Sequence, residues 1–309
     1  MRAINFDQFG PPSVLHVADL PLPVPAAGET LVRVHAAGVN PIDVKIRSGR
    51  AAARFDVRFP AIPGWDCAGT LPDGRRVFAF SRPVGVPGAR LPIDRGCYAE
   101  YVALPSEHVA SLPDNIDFPE AAATPLAGLT ALQSLEALKV AAGSTVLIQA
   151  AAGGVGHFAV QLAKLAGARV IGTASKKNHG WLKKLGCDEL IDYKAHDFAA
   201  VMRQKHPRGI DAVLDSVGGE TLLAGLECLR DGGRLVSLVQ PVAGVGKPGR
   251  EAIYVFVQPS GAQLGQIAAL MAAGKLQVRI DKEFPLADAA KAHALIEKGH
   301  VAGKLVLSL

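Results

Sequence analysis

The chain has 309 residues, 49% hydrophobic and 20% charged, which is enough to bury two cores, and no apolar run approaches the length that spans a bilayer. Its net charge of +5 is spread over interleaved acidic and basic residues, and with 6% aromatic residues and no dense Lys/Arg run it lacks the surface of a nucleic-acid binder. The N-terminal MRAINFDQFG has no apolar signal core, and Cys67, Cys97, Cys187 and Cys228 are scattered without a CxxC pair, so free thiols and a cytosolic, non-membrane protein are expected.

Residues 1–104 are rich in Pro and Gly. Residues 30–35 (TLVRVH) alternate apolar and polar side chains, residues 76–80 do so less strictly, and residues 97–104 (CYAEYVAL) read as a further strand. Prolines at 11, 12, 21, 23 and 25 cut the first part into short pieces, so an irregular β-rich domain is expected. The pattern then turns helical, with Pro119 near the start, Glu120 in the first turn and apolar spacing through Leu138.

Residues 145–156 (TVLIQAAAGGVG) change from an apolar strand to a glycine turn and then a helix. Gly153 and Gly156 occupy the second and third glycine positions of a dinucleotide fingerprint, with Ala151 at the first. Missing side chains there let a pyrophosphate reach backbone N–H groups at a helix N-terminus. A helix ending at Gly167 follows, then strand 168–174, helix 177–186, strand 189–193, a helix around 198–205, strand 210–217, helix 219–230 and strand 234–239. Such alternation predicts an α/β fold, a doubly wound Rossmann sheet over residues 125–258 with strand 253–258 at its edge. Helix 262–273, a strand at 276–280, helix 286–298 and strand 305–309 complete the chain. About fifty residues is short for a core of its own, so this tail is expected to join the N-terminal part. The expected division is 1–124 with 259–309, and 125–258.

In an NAD-preferring fold the second strand ends on an acid that holds the ribose 2′-OH. Here it ends Gly172, Thr173, Ala174, Ser175, Lys176, Lys177, with no acid and two cations. A hydroxyl and an ammonium suit a 2′-phosphate, which points to NADPH. The other reading of the two lysines is a solvated helix start, where cations are unfavourable unless an anion compensates.

The segments AAAGGVGHFAVQLAK, GVNPIDVKIRSG, PGWDCAG, LGCDELIDY and GHVAGKLVL together resemble the medium-chain dehydrogenase/reductase superfamily, in its zinc-free quinone oxidoreductase branch. The resemblance covers almost the whole chain. It implies a GroES-like catalytic domain built from both chain ends around a Rossmann domain, an active site in the cleft between them, NADPH as hydride donor, quinones or α,β-unsaturated carbonyls as acceptors, and a homodimer. Where zinc-dependent relatives place a Cys and a His-Glu pair, this chain has Asn40 and, after Pro63 and Gly64, Trp65 and Asp66. Asn and Trp are poor zinc ligands and no four-cysteine cluster exists, so no metal is expected. Without a Lewis acid an alkoxide is hard to stabilise, whereas an electron-poor acceptor needs only hydride, a hydrogen-bond donor and a proton.

The resemblance also assigns residues. Asn40 is implied near the nicotinamide ribose and the substrate carbonyl, with a turn before Pro41 as its other reading. Asp43 is either a water-organising site residue or a helix cap. Lys45 stands where many relatives carry an aromatic residue; it either polarises a carbonyl, as in alkenal and enone reductases, or is an exposed lysine. Ala152, Gly153, Gly154 and Val155 are implied at the pyrophosphate, Ser175 and Lys176 at the 2′-phosphate and Tyr193 beside the adenosine. Asn178 replaces a phosphate-binding lysine of many members, leaving that contact to Lys176 or Lys177. Thr130, Val217 and Val239 are implied at the nicotinamide half. Gly303 and Lys304 match a cofactor-proximal segment, the alternative for Lys304 being an exposed cation.

After Gly69 the chain is shorter than the family pattern, running directly through TLPDGRRVFAF, and residues 81–92 are expected to form a mobile loop at the cleft. Two further readings stand beside a quinone or enone reductase: a reductase of carrier-bound enoyl thioesters, and a non-catalytic NADPH-binding regulator.

Overall fold

The structure, a computed structural model, describes residues 1–82, 90–93 and 95–309, so most of the loop expected at 81–92 lies outside the described residues. Two units emerge: Met1–Leu129 with Gln258–Gly274 and Val278–Leu309, and Thr130–Val257 with Lys275–Gln277. Residues 125–129, expected in the second unit, group with the first, and residues 275–277 group with the second.

The first unit begins with β1 (Arg2–Asn5), β2 (His16–Asp19), β3 (Glu29–Val39), α1 (Pro41–Arg47), β4 (Phe55–Val57), β5 (Asp66–Thr70), β6 (Arg76–Phe80), β7 (Leu91–Ile93), β8 (Tyr101–Pro105), β9 (Val109–Ser111) and α2 (Phe118–Ala122). Strand β3 is its spine. Val32, Val34, Ala36, Ala37 and Val39 are buried along it, and it pairs antiparallel with β5 and β8. Gly69 of β5 lies so close that a Cβ would stand 1.9 Å from the Arg33 carbonyl oxygen, next to the register shift between Val34 and Ala36. Small residues here are therefore a packing requirement. The shortening after Gly69 leaves a tight β5–β6 hairpin, closed by Leu71 N–H on Arg75 O and turned by Gly74 at φ +85°.

One helix was expected from Pro119 to Leu138, but two form: α2, capped by Asp117, and α3 (Pro125–Ala137). Pro125 causes the break, because it has no N–H and disfavours helical backbone at the residue before it. The Thr124 hydroxyl caps the end of α2 on Glu120 O at 2.7 Å.

The second unit contains β10 (Thr145–Ile148), α4 (Gly156–Leu165), β11 (Arg169–Thr173), α5 (His179–Lys184), β12 (Glu189–Ile191), α6 (Phe198–Lys205), β13 (Ile210–Asp215), α7 (Gly219–Glu227), β14 (Leu229–Ser237) and β15 (Glu251–Tyr254). Among the described residues these strands form one sheet in the order β12-β11-β10-β13-β14-β15, parallel throughout. This is the Rossmann order, reversing direction between β10 and β13. Val146, Leu147, Ile148, Val213 and Leu214 are wholly buried, as expected of central strands covered on both faces.

The chain then returns to the first unit through α8 (Gly261–Ala272), β16 (Ile280–Pro285), α9 (Ala289–Glu297) and β17 (Lys304–Ser308). The strand expected at 276–280 is misplaced: extended pairing begins only at Ile280, where β16 meets β17. Leu276 is buried as an apolar anchor, and Gln277 trades two hydrogen bonds with Gln161, 2.8 and 2.9 Å. Strand β17 pairs antiparallel with β3, so the tail completes the first unit's sheet. Among the described residues no helix is long and apolar enough to cross a membrane.

Candidate functional site

In the second unit the glycine turn links β10 to α4. Ala150 takes φ +50°, a left-handed backbone uncommon for a residue with a side chain, and its N–H is held by Thr173 Oγ1 at 3.1 Å. A Cβ on Gly156 would stand 2.4 Å from Ala150 O and 2.7 Å from Ala151 Cα, so only glycine lets α4 start this close to the strand. A Cβ on Gly153 would meet only Ala150 O, at 3.2 Å. Val155 sits at the N-cap of α4 without a side-chain cap, and the His157 N–H of the first turn donates to Gly153 O at 3.2 Å. The buried His157 braces the turn, its Nδ1 3.0 Å from Gly153 O.

The other residues expected around a dinucleotide lie where the parallel strands end. Ser175 and the exposed Lys176 follow β11, and Asn178 Nδ2 donates to Ser175 Oγ at 3.3 Å. Tyr193 follows β12, Val217 follows β13 and Val239 follows β14, with exposures of 52%, 50% and 37%. All three lie beyond the C-terminal ends of parallel strands, the end of such sheets at which ligands bind. Thr130, by contrast, is buried in α3. Sequence reading passed over Asp215, which is buried at the end of β13. Its Oδ1 accepts from Val217 N (3.0 Å) and Gly218 N (2.8 Å), and its Oδ2 accepts from Ser237 Oγ (2.8 Å). It thereby fixes the turn that presents Val217.

In the first unit the sheet register assembles a second cluster. Strand β3 has β17 on one side and β5 on the other, pairing Leu305 with Val39 and Asp66 with Gly38. Lys304, Asn40 and Asp66 therefore meet at one sheet edge, all buried. Lys304 Nζ donates to Val39 O at 3.1 Å and to Asn40 Oδ1, and lies 3.7 Å from Asp66 Oδ2. Asn40 Nδ2 donates to Asp66 Oδ2 at 2.8 Å, while Asp66 Oδ1 accepts from Leu126 N at 2.9 Å in the first turn of α3. Burial outweighs attraction within the pair, lifting Asp66 to about 6 and drawing Lys304 down.

Asn40 precedes α1, with Pro41 at the helix's first position. Asp43 Oδ2 accepts from Asn40 N at 2.8 Å and from Tyr98 OH at 3.2 Å, so the residue is a helix-start partner built into the cluster. Burial raises Asp43 to about 7. The Tyr98 hydroxyl also lies 3.3 Å from His293 Nε2, and burial lowers His293 to about 3. Lys45 is half-buried on α1.

One alternative is excluded here: Lys304 is 4% exposed, so the exposed-cation reading fails. Gly303 has φ +97°, and a Cβ on it would stand 2.2 Å from Arg279 O, so glycine lets Lys304 turn inward. Asp66, Tyr98 and His293 were given no role from the sequence. The available signal was a carboxylate inside the apolar run WDCAG, which demands a buried cation. Trp65 packs edge-on against Phe55 and Phe80, with centroids 5.4 and 6.0 Å away.

Residues 26–114 match the alcohol dehydrogenase GroES-like domain, and residues 185–307 match the zinc-binding dehydrogenase family. The chloroplast envelope quinone oxidoreductase homolog of Arabidopsis thaliana is 31% identical over 99% of this chain and 98% of its own length. The chain belongs to the quinone oxidoreductase family. It is thus an oxidoreductase of two-domain α/β fold, with a GroES-like unit and a Rossmann unit. Among solved structures, the quinone oxidoreductase from Coxiella burnetii is 38% identical with TM-score 0.88, covering 100% of this chain and 99% of that one. The Escherichia coli quinone oxidoreductase complexed with NADPH is 27% identical with TM-score 0.87, covering 100% of both chains.

Proposed function

We propose that this protein is an NADPH-dependent, metal-independent reductase of quinones or α,β-unsaturated carbonyls. One observation carries the reading: where a metal-binding relative needs a thiolate, this chain holds the Asn40 amide between the Lys304 amine and the Asp66 carboxyl, both buried. That donor set suits a carbonyl oxygen, not a metal ion.

The glycine turn supports a pyrophosphate, because Gly156 admits no side chain and the N-terminus of α4 has no side-chain cap. Ala152, Gly153, Gly154 and Val155 would hold the pyrophosphate and Ser175, Lys176 and Lys177 the 2′-phosphate, with Asn178 steadying Ser175. Tyr193, Val217 and Val239 offer apolar surface to the rings, and Thr130, Gly303 and Lys304 stay with the nicotinamide half. When bound, the reduced nicotinamide supplies the hydride. The chain's part is to orient the acceptor and to meet the charge that develops on its oxygen, through Asn40 and the Lys45 ammonium, with Asp43 nearby as an organised acid.

The relative matched in Arabidopsis is named for quinones, and E. coli's homologue was crystallised with NADPH, which supports both halves of the reading. A homodimer fits the edge strand β15, whose Ala252, Ile253 and Tyr254 are only half-buried. All four cysteines are free and buried, which suits a reducing compartment such as the cytosol.

The test is oxidation of NADPH and NADH with 1,4-benzoquinone, 9,10-phenanthrenequinone, an alkyl vinyl ketone and crotonyl thioester. Turnover of a quinone or the ketone, with NADPH preferred, is expected. Turnover of the thioester alone would replace the reading with an enoyl-thioester reductase, and tight NADPH binding without turnover would replace it with a regulator.

A further inference from the structure

We propose that Asp66 and Lys304 are positioning residues that lock the Asn40 side-chain amide in one orientation, so that a single N–H remains for the acceptor's oxygen. The inference rests on the reading above for what that N–H meets, but the lock itself is argued from the first unit alone. An ammonium can only donate and an ionised carboxylate can only accept, so the atom of Asn40 facing Lys304 must be the oxygen and the atom facing Asp66 the nitrogen. The two charges thus dictate which way the amide points. Neither partner is free to turn. Lys304 Nζ is tied to Val39 O at 3.1 Å, and the second oxygen of Asp66 accepts from Leu126 N at 2.9 Å. The Asn40 backbone is held in turn by Asp43, 2.8 Å from its N–H.

The surroundings are shaped for this arrangement. A Cβ on Gly38 would stand 2.9 Å from Asp66 Cβ and 2.3 Å from Ala122 O, so glycine makes the room that the carboxylate fills. Gly303 does the same for the approach of Lys304, at φ +97° against Arg279 O. Two glycines are therefore placed to bring two opposite charges onto one amide. An isolated buried ion pair is poor value for stability, which leaves orientation as what the pair provides. With Oδ1 and one hydrogen of Nδ2 engaged, the second Nδ2 hydrogen is the donor left over. Supporting groups of this kind are worth about 10- to 100-fold in activity.

The experiment compares Lys304→Met, Asp66→Asn and the double variant with wild type, reading kcat, KM for NADPH, melting temperature and hydrogen exchange of the Asn40 side-chain amide by 15N NMR, assigned from its loss in Asn40→Ser. The double variant matters because it orphans no buried charge, so its melting temperature should recover relative to the single variants. Positioning predicts that kcat nevertheless stays about 10-fold or more below wild type in the double variant, with amide exchange accelerated. Recovery of kcat together with melting temperature, or wild-type amide exchange in the double variant, would overturn it. If wild type reduces none of the acceptors, the functional reading fails on its own, and the amide exchange alone decides whether the pair locks Asn40.

Discussion

Replacing Asp43 by Asn is expected to alter the pH dependence of stability more than its value at any one pH. The side chain is 1% exposed, and burial, with a smaller push from Asp66, lifts its carboxyl from 3.8 to about 7 against the Asn40 N–H, Lys304 and Tyr98. A carboxyl raised in this way favours the fold while protonated. Its contribution is complete below about pH 4 and is lost as pH rises through 7. At about 1.4 kcal/mol per pH unit, the loss is on the order of 4 kcal/mol. His293 works in the opposite sense, since burial holds it at about 3. Its contribution is present above its unfolded value of 6.5 and is lost as pH falls. Between pH 4 and 6.5 the two slopes oppose each other in the wild type. Asn at position 43 keeps an oxygen for the Asn40 N–H and the Tyr98 hydroxyl but has no proton to lose, so the His293 slope is left alone. Asp66 and Lys304 are common to both proteins and largely cancel in the difference. Urea midpoints at constant m, measured from pH 4.5 to 8, give the comparison. The variant is expected to gain on wild type by about 3 kcal/mol across that range and then level off above pH 7. A difference constant to within about 0.5 kcal/mol would refute the reasoning, since it would mean that Asp43 titrates like an exposed carboxyl.

Three further outcomes are expected. Gly156→Ala puts a Cβ 2.4 Å from Ala150 O, so α4 must shift; a loss of about 1–3 kcal/mol and a much smaller NADPH-induced rise in melting temperature should follow, with Gly153→Ala milder. Ser175→Asp sets a carboxylate beside the 2′-phosphate and should weaken NADPH by about 10- to 100-fold in calorimetry while leaving NADH nearly unchanged; equal loss of both would remove Ser175 from phosphate recognition. Lys45→Met should lower kcat with a vinyl ketone about 10-fold at unchanged KM for NADPH, and full turnover would exclude carbonyl polarisation by this lysine.

The Rossmann unit was legible in the sequence because its signals are local. Each strand is a short apolar run, each crossover carries its own helical spacing, and the glycines at 153 and 156 answer to contacts within a few residues of themselves. The same locality makes the absence of an acid after Thr173 readable at once. Misreadings arose where a neighbour decides: Pro125 breaks a helix whose apolar spacing runs on, and β16 begins only at Ile280, where it meets β17. The cluster around Asn40 is the clearest case. Asn40, Asp66 and Lys304 were each visible as residues, and Lys304 looked as much like a surface cation as a site residue. What brings them together is the register of β17 and β5 on either side of β3, which puts Asn40 in hydrogen-bond contact with Asp66, 26 residues away in the chain, and with Lys304, 264 away. Chain order thus determined the alternation that builds the Rossmann unit and the residues that stand where zinc-dependent relatives carry metal ligands. Only the tertiary structure decided that a buried charge pair holds the amide left in their place, because burial and pairing are properties of the folded sheet and not of any one segment.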